Sequence, residues 1–294
     1  MMRDLRDRIV NSVLFVPTLF SAVLLIVMVL TLIQKSGQIL STRPLTDLLL
    51  SSSWQPFAGN FGFLPFIMGT IWVTALAMLA AVPISLMSAI YLSEYAHVNV
   101  RDIIQPVIDL LAGIPSVVYG LFGILLIVPL IKYSVAPLFG VTNSGYCVLA
   151  GGLVLAIMVF PILISISYEV FRTVPLEMRE ASLGLGATRW ETVKYVVLKK
   201  AFPGIIAAII LGFSRAFGET MAVLMVVGNV ARVPTSVFDP AYPIPALIAN
   251  NYGEMMSIPM YDSALMFAAL LLLVVVVAFN IAAKYVLVKV MAVA

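Results

Sequence analysis

The chain has 294 residues, of which 62% are hydrophobic and only 11% charged; soluble globular proteins carry about 25% charged residues, so this one cannot cover a water-facing surface of its own. That balance excludes a soluble globular protein, a disordered chain, a nucleic-acid-binding domain and a disulfide scaffold, and it predicts an integral membrane protein. With 17 Lys plus Arg against 14 Asp plus Glu, the net charge says little and the placement of the cations says more.

A membrane helix needs ~20 mostly apolar residues, and six nearly uncharged stretches meet that requirement: Val10 to Ile33, Phe63 to Leu92, Ile103 to Ile131, Gly145 to Tyr168, Gly204 to Gly228 and Ser263 to Ala283. The first has no small-residue cleavage site after it, which predicts a retained anchor rather than a signal peptide. The second and third are longer than a perpendicular helix requires, and Pro83 and Gly113-Ile114-Pro115 are the places where they are expected to kink or break. None of the six alternates in polarity as barrel strands do. The expected fold is all-α, with six transmembrane helices in a single domain over 1–294.

Positive side chains are retained on the cytoplasmic side during insertion. With the N-terminus inside, that side holds Arg3, Arg6, Arg8, Arg101, Arg172, Arg179, Arg189, Lys194, Lys199, Lys200, Lys284 and Lys289, against Lys35, Arg43, Lys132 and Arg232 outside. Both termini are therefore expected in the cytoplasm. The outer loops 34–62 and 229–262 are long, and the second carries Pro234, Pro240, Pro243 and Pro245, which limit its backbone and suit a docking surface.

The most charged stretch is 172–203, predicted to lie on the cytoplasmic side. Pro175 suits the first turn of a short helix through Glu180 and Ala181, which Gly184 or Gly186 can end. Thr188 followed by Glu191 is a capping-box pattern that starts a second helix, with Trp190, Val193 and Val197 at helical spacing. The expectation is a helix-turn-helix across the membrane face.

Arg215 and Glu219 fall near the middle of the fifth stretch, where one charge costs ~3 kcal/mol on insertion scales. Their i, i+4 spacing puts both on one helix face with Ala208, Gly212 and Ala222, and small residues there let a neighbouring helix approach. A static ion pair is one reading; the other is an Arg that attracts an oxyanion through its planar fork, with Glu219 holding the guanidinium and limiting how tightly the anion is kept. Asp109, in the third stretch, is a weaker pathway candidate because it lies only ~10 Å of helix from the inner end. His97 and Cys147 have no partner chemistry around them, and no metal or membrane-enzyme site is expected.

Glu180-Ala181-Ser182, three residues, then Gly186 resembles the EAA loop of bacterial ABC importer permeases. Ser182 stands where that family often has Ala, and Lys199 where a Pro is common. Leu111 to Gly120, Ile90 to Tyr95 and Arg215 to Val223 are similar to the phosphate-specific permeases, the continuation through Met221-Ala222-Val223 to Gly228-Asn229 being more like the PstC-type subunit. The resemblance covers about Gly59 to the C-terminus. It implies a bacterial inner-membrane phosphate importer in which this chain pairs with a homologous PstA-type permease, above two copies of a cytoplasmic ATPase and beneath a periplasmic phosphate-binding protein. Glu180, Ala181, Ser182 and Gly186 would meet the ATPase, and Arg215 and Glu219 would line the pathway. No G-x-x-x-x-G-K-[ST] is present, so ATP is expected on partner subunits and no cofactor on this chain. A molybdate or sulfate permease, an ATPase-independent anion transporter or channel, and a membrane enzyme are the rivals.

Overall fold

The computed structural model describes residues 2–254 and 258–293. Residues 255–257 of the second outer loop lie outside it, as do the side chains of Arg3, Arg6, Arg8 and Lys289 that entered the charge argument. Among the described residues, six helices are long and apolar enough to cross a membrane. In chain order, the elements are α1 (Met2–Thr42), α2 (Leu45–Leu50), a two-residue hairpin of β1 (Trp54–Gln55) and β2 (Asn60–Phe61), α3 (Leu64–Tyr95), and α4 (Val98–Ala112). There follow α5 (Ser116–Leu138), α6 (Val148–Arg172), α7 (Leu176–Gly184), α8 (Arg189–Phe217), α9 (Met221–Leu224), α10 (Ile244–Asn251) and α11 (Pro259–Val293). Among the described residues, the hairpin and an isolated bridge between Gly228 and Ala241 are the β-structure in an otherwise helical chain.

Pro83 does not break α3, which continues to a π turn at Tyr91–Tyr95; membrane helices tolerate Pro where neighbours re-satisfy the freed backbone. Gly113-Ile114-Pro115 does break the third stretch. The result is an amphipathic α4 followed by a separate span, α5, so the crossing helix begins some 13 residues later than expected.

The α3 and α6 helices form the central pair, and glycine makes it close. A Cβ on Gly152 would stand 2.2 Å from Leu76 Cδ2. Around this pair Val73, Ala77, Tyr119, Leu155, Val159, Ala216 and Val223 form the main core. A second core lies towards the hairpin, where Trp54 meets Phe61, Phe63, Phe66 and Tyr261 edge-on at 4.7–5.9 Å. A third, at the opposite end, joins Leu92, Ile108, Tyr168, Phe171, Val174 and Val197 beneath α7.

Residues 13–34 of α1 are exposed or nearly so on every face, as a helix surrounded by lipid is. The helix is held at its far end. There Ser263 Oγ donates to Lys35 O at 2.8 Å and accepts from Ile39 N at 3.0 Å, beside the Lys35–Asp262 pair.

The segment 232–241 is built onto α6. The first N–H groups of a helix lack intrahelical acceptors, and here Val148 N donates to Asp239 O at 2.9 Å and Leu149 N to Val237 O at 2.8 Å. Asp239 in turn accepts from Thr235 N, Thr235 Oγ1 and Ser236 N at 2.8–2.9 Å. The Thr235 amide first, then the Thr235 hydroxyl, the Ser236 amide and nearby Arg232 hold the Asp239 carboxyl below its ordinary range against the opposing effect of burial.

Candidate functional site

The fifth span is displaced from its expected place. It runs Arg189–Phe217 and ends at Gly218, after which Glu219 and Thr220 are non-helical and α9 begins. Arg215 stands in its last turn, three residues past Gly212, which packs on Leu163 within α6. A cation in the last helical turn is favoured by the helix dipole.

The expected ion pair does not form. Arg215 and Glu219 are not on one helix face, because the helix stops between them. Among the described residues the ion pairs are Lys35–Asp262, Glu169–Arg172 and Glu94–Arg179. Glu219 Oε1 instead accepts from Ala222 N at 3.2 Å, capping α9. Glu219 is half-buried beside Thr70, Thr74, Leu155 and Phe217. Arg215 is exposed, next to the buried stripe Ala208, Gly212 and Ala216 that packs on α6; a Cβ on Gly212 would stand 2.6 Å from Leu163 Cδ2. The Tyr119 hydroxyl donates to Leu111 O at 2.8 Å, bridging the break between α4 and α5. Beyond α9, Gly228 and Asn229 both adopt positive φ (95° and 53°), and Asn229 Nδ2 closes the turn on Leu224 O at 2.8 Å. A Cβ on Gly228 would be 2.9 Å from Pro240 Cβ, so glycine is required there on two counts.

Asp109 lies on α4, outside the crossing helix, where Ser165 Oγ of α6 donates to its carboxylate at 3.2 Å. His97 caps α4 by accepting from Asn99 N at 3.3 Å, and Cys147 is buried at the head of α6. No group of three or more His, Cys, Asp or Glu that could hold a metal occurs among the described residues.

The charged loop takes much of its expected shape. Pro175 caps α7, which carries exposed Glu180 and Ala181, and Gly186 turns the chain with φ +88°. Thr188 and Glu191 make the capping box in both directions. The second helix is not a separate interfacial one: it runs on through Lys199 and Pro203 as the span α8. Val193 and Val197 are buried, whereas Trp190 is exposed. Ser182 Oγ lies 2.9 Å from Thr192 Oγ1, which ties α7 to the start of α8. A feature not legible beforehand is the ion pair of Arg179 with Glu94, 3.0 Å long and largely buried. The run Ile90 to Tyr95 held the signal, an acid at a span's end, but nothing in the sequence says what faces it.

Six candidate spans among the described residues and a structured loop joining two of them define a polytopic helical membrane protein. Solved structures share this architecture: the MetNI methionine ABC transporter aligns with a TM-score of 0.60 over 76% of this chain and 94% of that one at 17% identity, and an amino acid ABC transporter with 0.52 over 76% and 92% at 19%. The fold is that of the ABC importer permeases. Residues 81–291 match the family described as "Binding-protein-dependent transport system inner membrane component", and the chain belongs to it. Similar proteins include the probable ABC transporter permease protein YqgH of Bacillus subtilis, 39% identical over 81% of this chain and 76% of that protein. The phosphate transport system permease protein PstC of Mesorhizobium japonicum is 35% identical over 97% of this chain and 92% of its own length. The chain is thus a multi-pass membrane permease subunit, not an enzyme.

Proposed function

We propose that the chain is the PstC-type permease of an ATP-driven phosphate importer in a bacterial cytoplasmic membrane. Both termini and α7 lie on the cytoplasmic side, where loop cations outnumber those outside twelve to four. All of 1–294 forms one transmembrane domain, with 172–203 as its coupling loop. A homologous PstA-type permease completes the pathway, two copies of an ATPase bind the surface formed by exposed Glu180, Ala181 and Gly186 with the partly buried Ser182, and a periplasmic phosphate-binding protein docks on the outer loops. ATP binds those ATPase subunits, as this sequence lacks a phosphate-cradling loop.

The observation that carries the reading is Arg215. An exposed guanidinium in the hydrophobic layer, not paired to the nearby carboxylate, needs water or protein around it to offset a cost of ~3 kcal/mol. Its fork matches a tetrahedral oxyanion, and relatives covering most of the chain are named as phosphate permeases. Glu219 fixes the break through Ala222 N and tempers the field of Arg215, so that the anion leaves as well as binds. Asp109 stands as a secondary, inner-side contact for the departing ion.

The test is ATP-dependent uptake of labelled phosphate by vesicles carrying the assembled complex, challenged with excess sulfate or molybdate, for wild type and Arg215→Gln. Resistance to both competitors and collapse in the variant are expected. Full competition by sulfate or molybdate would remove phosphate as the substrate; normal uptake by Arg215→Gln would remove Arg215 from the pathway.

A further inference from the structure

The run Ile90 to Tyr95 ends α3, and its one acid reaches α7. Glu94 and Arg179 have side chains only 11% and 17% exposed, although Arg172, Glu177 and Glu180 around them stand in solvent. The guanidinium of Arg179 binds three acceptors: Glu94 Oε1 of α3 at 3.0 Å, Phe171 O in the last turn of α6 at 2.7 Å, and Val174 O just beyond at 2.7 Å. Ser93 Oγ donates to the same Glu94 oxygen at 2.8 Å. From α4, Arg101 donates to Leu92 O and Ser93 O at 3.2 and 3.1 Å. The exposed helix α7 is thereby tied to the inner ends of α3 and α6, the central pair of the fold. At its other end that same pair supplies Thr70, Thr74 and Leu155, which lie against Glu219.

Stability does not account for the pair. A buried ion pair is replaceable by packed apolar groups at little cost or with a gain, and here Arg179 Nε is buried with no partner at all, which costs more. What an apolar contact lacks is direction: packed helices slide over one another in shear motions, whereas a planar guanidinium held by three fixed acceptors resists both sliding and rotation. We propose that Glu94–Arg179 is the joint through which displacement of α7 becomes displacement of α3 and α6, with Glu94 as a positioning residue. This rests on the reading of α7 as the ATPase-docking helix of an importer.

The test uses the complete complex in liposomes: this chain, the partner permease, the ATPase subunits and the binding protein. Wild type, Glu94→Gln and Glu94→Asp are compared. ATP hydrolysis and labelled-phosphate uptake are measured on the same samples, and a nucleotide-dependent distance is read between spin labels at the exposed positions Phe57 and Leu138 in a Cys147→Ser background. Glu94→Gln is expected to bind and run the ATPase as wild type does, to import about tenfold less phosphate per ATP, the size of a typical coupling energy, and to lose the distance change. Glu94→Asp, which keeps the charge, recovers most of both. An unaltered uptake-to-hydrolysis ratio with the distance change intact overturns the proposal. So does an equal fall in ATPase binding, hydrolysis and uptake, which marks a merely structural pair. If the wild type shows the distance change and imports no phosphate, the substrate reading falls, and the label comparison between wild type and Glu94→Gln still decides the joint.

Discussion

Arg179 directs its N–H groups inward, onto Glu94 and two backbone carbonyls, whereas Arg215 stands exposed at a helix end with the nearest acid engaged elsewhere. Both are cations in a chain that is only 11% charged. Their surroundings divide the labour. An arginine whose fork is filled by the protein holds elements together; one whose fork is empty is available to something the chain does not contain, either solute or partner. Arg179 sits at one end of the central helix pair and Arg215 one turn past the contact of Gly212 with Leu163 within α6, so their roles bear on each other through that pair.

The largest effect that would sharpen this contrast is at Arg215. Losing a hydrogen bond to a charged group costs ~1.5–3 kcal/mol, so Arg215→Gln is expected to lower phosphate uptake roughly 10- to 100-fold without changing the thermal midpoint of the complex. An unfolding shift as large as the transport loss would place Arg215 with Arg179, among the builders. Next is Glu180→Lys. Like-charge juxtaposition weakens an interface by several kcal/mol, and co-purification of the ATPase is expected to fall at least about tenfold. The thermal midpoint should stay put, because the Glu180 side chain is exposed and such surface changes stay within about ±0.5 kcal/mol. Retained ATPase binding would show that α7 docks through another face.

A smaller effect belongs to Thr188→Ala. It removes the half of the capping box at the head of α8 in which Thr188 Oγ1 accepts from Glu191 N, while the backbone N–H at 188 still donates to Glu191; the cost is about 1 kcal/mol, and hydrogen exchange at Glu191 and Thr192 is expected to quicken about fivefold. No change would mean that the Ser182–Thr192 contact holds that turn unaided. Smallest is a pH effect in the outer loop. The carboxyl of Asp239 is held below its ordinary range, mainly by the Thr235 amide. Its contribution is therefore fully present above the ordinary Asp value of about 4 and is lost as pH falls through its lower folded value. Protease resistance of segment 232–243 should be flat from neutral pH down to about 4 and fall from there towards the lower folded value. Asp239→Asn should abolish the drop; a drop that persists in the variant would assign it to another group.

Much of this was legible in the sequence because it depends on local rules. Charge scarcity and apolar run length are enough to name six spans, since no soluble arrangement could hide them. The Thr188–Glu191 box, the Pro175 start of α7 and the break at Gly113-Ile114-Pro115 follow from backbone chemistry within four residues. The α8 end was not legible. A hydrophobic run continues from Gly204 through Gly228, and only packing of Ala216 and Phe217 against the core, with Glu219 capping α9, stops the helix at 217. The same packing separated Arg215 from Glu219, a pair that i, i+4 spacing had put side by side. The Lys199 region misled for a related reason: a polar stretch suggested an interface helix with its own end, but three-dimensional continuity carried it into the span.

The sequence by itself determined a polytopic helical membrane protein, its loop architecture and the residues from which a site could be drawn, because burial in lipid and capping act on neighbours along the chain. Which carboxylate meets which guanidinium was left to the tertiary structure. Glu94 and Arg179 are 85 residues apart, and Glu219 and Arg215 only four. The near pair fails to form and the distant one forms because helix ends, not sequence distance, decide which side chains converge.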